Sequence, residues 1–351
     1  MTVRYAIAAL ALSTLTATAA TADDWSAPLL VDEQHPEETY VPLPAGSATQ
    51  PWHLCVGFPH MKDAYYVAKD YGVITEAKRQ GVGVTVMSAG GYDNITQQIQ
   101  QIEDCVAQGG DAVLVNAVSK TGLNGLIEEL HAKNIPVLDM GNGLSSELVA
   151  ASSLAQYYWA GHTAGSYLAA KHPAGSGKVQ LVWLAGPTGS QWVEDAVKGM
   201  QEAIAGSDVE LLKVMYGDTG KSTQMNLMED ALQTYTDVDI IGGVAPAIEG
   251  AMEIVQARDL SDIQLISFYS TPAIEQAVRD GRVMATVNDY NAVGSRISID
   301  QAIRILEGKL EIARAARKFE IIDGSNVDTY DRTTLLAPDG FEPIFELPAT
   351  N

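Results

Sequence analysis

His53-Leu54-Cys55-Val56-Gly57-Phe58, Gly83-Val84-Thr85-Val86-Met87, Ala112-Val113-Leu114-Val115-Asn116 and Pro136-Val137-Leu138-Asp139 decide the fold. Each is a short apolar run, mostly β-branched, without the polar alternation of a half-exposed strand, as expected of parallel strands buried on both faces. Between them, residues 64–79, 95–107 and 123–132 space their apolar positions at helical intervals and stop near Gly, Asn or Asp. A second series repeats the pattern. Helices are expected over 161–171, 192–204, 223–233 and 248–258, and strands over 179–184, 210–214, 240–243 and 264–268. This is βαβ grammar, and it predicts an α/β protein of two Rossmann-like lobes with parallel sheets.

The break at 141–153 is where a first crossing between lobes is expected, with return crossings over 283–289 and 316–322. A hinge of three crossings follows. The N-terminal lobe then comprises 52–152 plus 288–316, and the C-terminal lobe 153–287 plus 317–351.

Upstream, Arg4 precedes an uncharged run over 6–17, and Ala20-Thr21-Ala22 offers a small-x-small cleavage site. Residues 1–22 read as a secretory signal peptide, which predicts a periplasmic protein. No later stretch approaches twenty uncharged apolar residues, so no membrane-spanning segment is expected. Residues 23–51, rich in Pro, Ser, Thr and acids, read as an irregular leader. Removing 22 of the 351 residues leaves 329, enough for two cores. The net charge of −22 argues against nucleic acid as a partner. Cys55 and Cys105 are the only cysteines; in an exported chain a disulfide between them and a pair of separate buried thiols are both open.

Motifs for chemistry are missing. Gly220-Lys221-Ser222 lacks the earlier glycine of a P-loop, since Met215 stands there. The six histidines form no His-Glu-x-x-His and no pair at metal spacing within one helix. No Gly-x-Ser-x-Gly elbow occurs either. A binder without cofactor fits this better than an enzyme.

The positive signal is where aromatic residues fall. Ligands of open α/β sheets lie beyond the carboxyl ends of the strands. There stand Phe58, Asp63, Tyr65 and Tyr66 after the first strand, Tyr92 after the second, Tyr157, Tyr158 and Trp159 after the lobe crossing, Tyr269 at the end of the last, and Asp289 with Tyr290 at the next crossing. Several ring faces and a carboxylate or two suit a compact methylated ammonium group, because ring quadrupoles attract a weakly hydrated cation. The expected ligand-binding set is Asp63, Tyr65, Tyr66, Tyr92, Tyr157, Tyr269 and Asp289.

Leu54–Phe58, Asp111-Ala112-Val113-Leu114-Val115-Asn116, Lys133-Asn134-Ile135-Pro136-Val137 and Phe268-Tyr269-Ser270-Thr271-Pro272 resemble the type I periplasmic sugar-binding proteins. That family carries an Asp-Arg pair after the Ile-Pro-Val strand and an Asp at the Phe-Asp-Gly turn. Here Gly141-Asn142 and Tyr269 occupy those places, which disfavours a sugar. The TorT family of periplasmic sensory proteins is resembled more closely, through Trp52-x-Leu54-Cys55, Lys62-Asp63-Ala64-Tyr65-Tyr66, Ala89-Gly90-Gly91-Tyr92, Cys105 and Ser267-Phe268-Tyr269. That resemblance implies a cage on Asp63, Tyr66, Tyr92, Tyr157 and Tyr269, with Tyr65 beside it. Tyr66 and Tyr157 stand where relatives carry Trp. It also implies trimethylamine N-oxide or a similar small molecule as ligand, and the periplasmic domain of a TorS-like membrane sensor histidine kinase as partner. The alternative is the solute-binding component of an ABC importer.

Overall fold

The computed structural model describes residues 25–29 and 38–350; the expected signal peptide lies outside them. The leader contributes β1 (Ala27–Leu29) and β2 (Glu38–Tyr40), and the domain proper starts with β3 (His53–Phe58). Then follow α1 (Ala64–Gln80), β4 (Gly83–Ser88), α2 (Ile95–Ala107), β5 (Ala112–Val115), α3 (Asn124–Ala132), β6 (Val137–Asp139) and β7 (Ala151–Leu154). The second half holds α4 (Tyr157–Lys171), β8 (Val179–Ala185), α5 (Gln191–Ile204), β9 (Val209–Tyr216), α6 (Lys221–Thr234), β10 (Ile240–Gly243), α7 (Ala245–Ala257), β11 (Gln264–Ser267), α8 (Pro272–Arg279) and β12 (Ala285–Asn288). The chain closes with α9 (Asn291–Leu306), β13 (Arg314–Ala316), β14 (Glu320–Asp323) and β15 (Glu346–Leu347).

Besides the two-stranded β1-β2 sheet, two large sheets result, ordered β13-β7-β6-β5-β3-β4-β15 and β14-β12-β11-β10-β8-β9. Their inner strands are parallel, and β5 and β10 are buried at every position, which explains their unbroken apolar runs. The sheets are mixed rather than wholly parallel, because the late-returning strands β14 and β15 join the edges antiparallel to β12 and β4. In the second sheet Trp183 lies wholly buried and stacks on Phe268 at 5.6 Å.

The crossings differ in detail from the sequence reading. Residues 151–154 are still a strand of the first sheet, so the first crossing falls at 155–156. The second falls at 289–290, after β12 has paired within the second sheet, and the third at 317–319. Residues 346–347 pair with β4, so the C-terminus returns to the first sheet instead of staying with the second lobe. The leader is also less irregular than expected. β1 and β2 pair antiparallel, and Ala27, Leu29 and Tyr40 pack on Val293, Ile297 and Ala315.

Two helix pairs cross with backbones nearly touching. A Cβ on Gly161 would overlap the carbonyl of Ala196, and one on Gly199 that of Tyr158, so α4 and α5 can meet this closely only through glycine. Gly72 does the same between α1 and α9, where its Cβ would strike Ala292.

Cys55 of β3 and Cys105 of α2 are bonded, with a Cα separation of 6.0 Å. Gly110 leaves the room, since a Cβ there would overlap Cys55 Sγ. The bond closes a sequence separation of 50 residues, and a loop of that size should stabilise the fold by ~4 kcal/mol. Urea unfolding of the oxidised protein and of Cys55→Ser/Cys105→Ser measures this; coincident midpoints would show that the bond adds nothing.

Candidate functional site

Nine residues wall one cavity at the carboxyl ends of both sheets: Asp63, Tyr65, Tyr66, Tyr92 and Asn142 from the first, and Tyr157, Trp192, Thr219 and Tyr269 from the second. The placement follows from the strand–helix turns. Asp63 caps α1, its Oδ1 accepting the backbone N–H groups of Tyr65 and Tyr66 at 3.1 and 3.3 Å. That cap sets both tyrosines in the first helical turn, aimed at the other lobe. Tyr157 opens α4, Trp192 lies in the first turn of α5, and Tyr92, Asn142, Thr219 and Tyr269 follow β4, β6, β9 and β11.

The rings form a continuous wall. Tyr65 meets Tyr66 at 5.6 Å and Tyr269 at 5.0 Å, both edge to face, and Trp192 lies 5.6 Å from Tyr157 and 6.2 Å from Tyr92. About 20 Å3 is left for the centre of a water-sized sphere. That is room for about one or two water-sized groups.

Two hydroxyl networks tie the rings together. Tyr65 donates to Asp289 Oδ2 at 2.8 Å and is 2.5 Å from the Tyr157 hydroxyl, so Tyr157 donates to Tyr65 and both protons are used. Across the cavity, the hydroxyls of Tyr66 and Tyr92 are 2.8 Å apart, with Asn142 Nδ2 3.4 Å from each. Burial raises all four hydroxyls above the ordinary tyrosine range, so none ionises. Burial also pushes the Asp63 carboxyl up to about 7, against the pull of its two backbone hydrogen bonds.

His60 bridges the lobes. Its Nε2 is 3.1 Å from Thr219 Oγ1, and its ring meets Tyr66 edge-on at 4.8 Å. Burial, then Lys62, lowers its pKa to about 4, so it is neutral at pH 7 and adds no positive charge beside the cavity. Lys62 and Asp218 add a surface ion pair across the cleft at 3.3 Å.

Six of the seven expected site residues line the cavity. Asp289 does not: it is fully buried behind Tyr65, beside Arg317. Tyr158, Trp159 and Tyr290 also point elsewhere. Tyr158 bonds Glu202, Trp159 packs on Tyr158 and His162, and Tyr290 bonds Glu320. Asn142, Trp192 and Thr219 are not in the expected ligand-binding set, Asn142 being read only as a replacement for a sugar-gripping residue, although all three follow strand ends and the same rule reaches them. A larger hollow of about 930 Å3 lies at the opposite end of the second sheet, lined in part by Tyr167, Met252 and Met284. It has none of the ring convergence of the cage. No cluster of metal-ligating side chains occurs among the described residues, and no helix there is long and apolar enough to cross a membrane.

Comparison with known proteins places this geometry in context. The profile of the periplasmic binding protein domain matches residues 55–310. The periplasmic protein TorT of Escherichia coli (strain K12) is 28% identical over 316 residues, 90% of each chain. The crystal structure of the TorS sensor domain–TorT complex in the presence of trimethylamine N-oxide superposes with a TM-score of 0.77 at 29% identity, covering 84% of this chain and 99% of that one. An ABC transporter solute-binding protein from Bradyrhizobium sp. BTAi1 with bound Bis-Tris gives a TM-score of 0.79 at 43% identity, over 92% of this chain and 98% of that one.

Proposed function

The chain belongs to the periplasmic binding protein domain family, whose TorT relatives are binding and sensory proteins, and from that premise we propose that it senses trimethylamine N-oxide or a close methylated amine in the periplasm. The observation that carries the reading is the lining of the cavity: aromatic rings from both lobes and one desolvated carboxyl group, surroundings that attract a weakly hydrated cation. The polar side chains that a sugar needs are replaced by Asn142 and Tyr269. Because the wall is shared between the lobes, a ligand there favours the closed arrangement by its unequal affinity for the two states. The protein docks on the periplasmic domain of a TorS-like sensor histidine kinase, a partner supported by the TorS–TorT complexes with and without trimethylamine N-oxide. The chain performs no chemistry on its ligand in this reading.

Thermal shift across methylated amines, N-oxides and pentoses tests it. A true ligand at a hundred times its dissociation constant stabilises by ~2.7 kcal/mol. A shift with a pentose and none with trimethylamine N-oxide would end the proposal.

A second reading, the solute-binding component of an importer, is favoured by the likeness to the Bradyrhizobium protein. Bis-Tris is a hydroxylated tertiary amine, so that likeness is compatible with an amine ligand while changing the partner. Binding of the purified protein to an immobilised kinase sensor domain, with and without ligand, separates the two.

The state of Asp63 gives a pH dependence. Its folded pKa of about 7 lies above that of an unfolded aspartate, so its contribution to the stability of the unliganded protein is full in acid and lost as pH rises through 7. A cationic ligand needs the carboxylate and depends on pH in the opposite sense. Affinity for tetramethylammonium should climb up to about tenfold per pH unit until near pH 7 and then level off, with proton release on binding. Calorimetry in two buffers of different ionisation enthalpy measures this, and a flat affinity from about pH 5 to 8 would remove Asp63 from the site.

A further inference from the structure

The Tyr66–Tyr92 pair has one more proton than it can use. One hydroxyl donates to the other across 2.8 Å, and the remaining proton has no acceptor among the described residues. Which way it points depends on Asn142, whose side chain is 5% exposed and whose orientation is set by a chain of amide contacts. Asn116 Nδ2 donates to the Met140 carbonyl at 3.3 Å, so Asn116 presents its N–H to Asn142 Oδ1 at 3.1 Å. With its oxygen turned that way, Asn142 Nδ2 donates to the Ala117 carbonyl at 3.0 Å and lies 3.4 Å from both tyrosine hydroxyls. The amide therefore faces the tyrosines only as a donor. Its one remaining N–H is shared between the two phenolic oxygens, so neither hydroxyl can donate to the amide and the spare O–H proton is left to point into the cavity.

We infer that Asn142 is a specificity-determining residue: by ordering the protons of Tyr66 and Tyr92 it gives the cage an inward hydrogen-bond donor, selecting amines with an acceptor oxygen over bare tetraalkylammonium ions. The inference rests on the cage being a methylated-amine site, and it adds a direction to it. The oxygen of an N-oxide lies against Tyr66 and Tyr92, while its methyl groups face Tyr65, Tyr157, Tyr269 and Trp192. At the far end Tyr65 and Tyr157 have no proton to offer, since Asp289 draws theirs away from the ligand. A donor buried without an acceptor is penalised, so a ligand that puts a methyl group there is disfavoured.

Trimethylamine N-oxide and tetramethylammonium differ by one oxygen for one methyl, and the ratio of their affinities reads the donor directly. Isothermal titration of the wild type, Asn142→Asp and Tyr66→Phe/Tyr92→Phe with both ligands is the test. A carboxylate in place of the amide would accept both hydroxyl protons and turn the donor away. Removing both hydroxyls deletes the donor with every ring kept. In each variant the affinity ratio of N-oxide to tetramethylammonium should fall about tenfold or more. Each single Tyr→Phe change should move it far less, because the hydroxyl that remains still accepts from Asn142 and turns its proton inward. If the buried carboxylate of the Asn142→Asp variant prevents folding, the double Phe variant decides. A ratio unchanged in the double variant, with both ligands weakened in parallel, overturns the inference. A wild type that binds neither ligand overturns the amine-site reading beneath it.

Discussion

Asp289→Ala should lower the unfolding free energy by about 3–5 kcal/mol, since it strands a buried guanidinium. Asp289 and Arg317 both have no exposed surface, and their side chains approach to 3.8 Å. Arg317 also donates through Nη1 to the Asp289 carbonyl at 2.8 Å, while its Nε and Nη2 have no hydrogen-bond partner among the described residues. It cannot swing out, because its side chain lies over Gly294, where even a Cβ would come within 2.6 Å of Cδ. Losing the carboxylate leaves that charge in place and removes the acceptor of Tyr65. Asp289→Ala/Arg317→Met should therefore be less destabilised than the single change, because neither charge is then left alone. Urea unfolding of the two variants measures this. A single variant within about 1 kcal/mol of wild type would mean that water already compensates the pair.

The same cluster explains why the cage depends on the hinge. Asp289 occupies the second crossing, Arg317 the third, and Tyr157 stands directly after the first. The bonds from Tyr157 to Tyr65, from Tyr65 to Asp289 and from Arg317 to the Asp289 carbonyl so join all three crossings to the cavity wall. Tyr290, next in the chain, holds the left-handed conformation at φ 52° and hydrogen-bonds Glu320 beyond the third crossing. Such backbone is costly for a non-glycine residue and needs support from its surroundings. Tyr65 and Tyr157 therefore connect the cavity wall to the segments that cross between the sheets.

Much of this is legible in the sequence. The inner strands announce themselves because burial on both faces leaves unbroken apolar runs, and the residues after them fall at the sheet ends for topological reasons. Helix α9 is not legible, and its burial explains why. Ser295, Ser298, Asp300 and Gln301 are all fully buried, which erases the apolar stripe that marks a helix. These polar groups have their own partners: Asp300 accepts from Tyr40 at 2.5 Å and from the Leu43 backbone at 2.7 Å, and Gln301 donates to the carbonyls of Ser152 and Ile312. That is also what orders the leader, whose own composition reads as loop. Asp289 illustrates the converse. Its place at a strand end follows from the sequence, but the buried arginine that turns it away from the cavity comes from the third crossing, and no local pattern links the two.

Tyr269→Ala should weaken binding of a methylated amine about 30- to 100-fold, the largest effect expected of any single cage residue. The ring sits where sugar-binding relatives place a carboxylate, and it closes the wall between Tyr65 at 5.0 Å and Phe268 at 5.4 Å. A desolvated cation–π contact contributes ~2 kcal/mol, and the apolar ring area adds a further fraction. Folding should suffer less than a core aromatic deletion would imply, because one face of this ring meets the cavity rather than packed atoms. The substitution series separates the two contributions. Tyr269→Phe keeps the quadrupole and should stay within about threefold of wild type, whereas Tyr269→Leu keeps only bulk and should lose most of the affinity. Calorimetry with trimethylamine N-oxide and tetramethylammonium reads both. If Leu binds as well as Phe, the wall works by shape alone and the attraction of the rings for a methylated cation is not what selects the ligand.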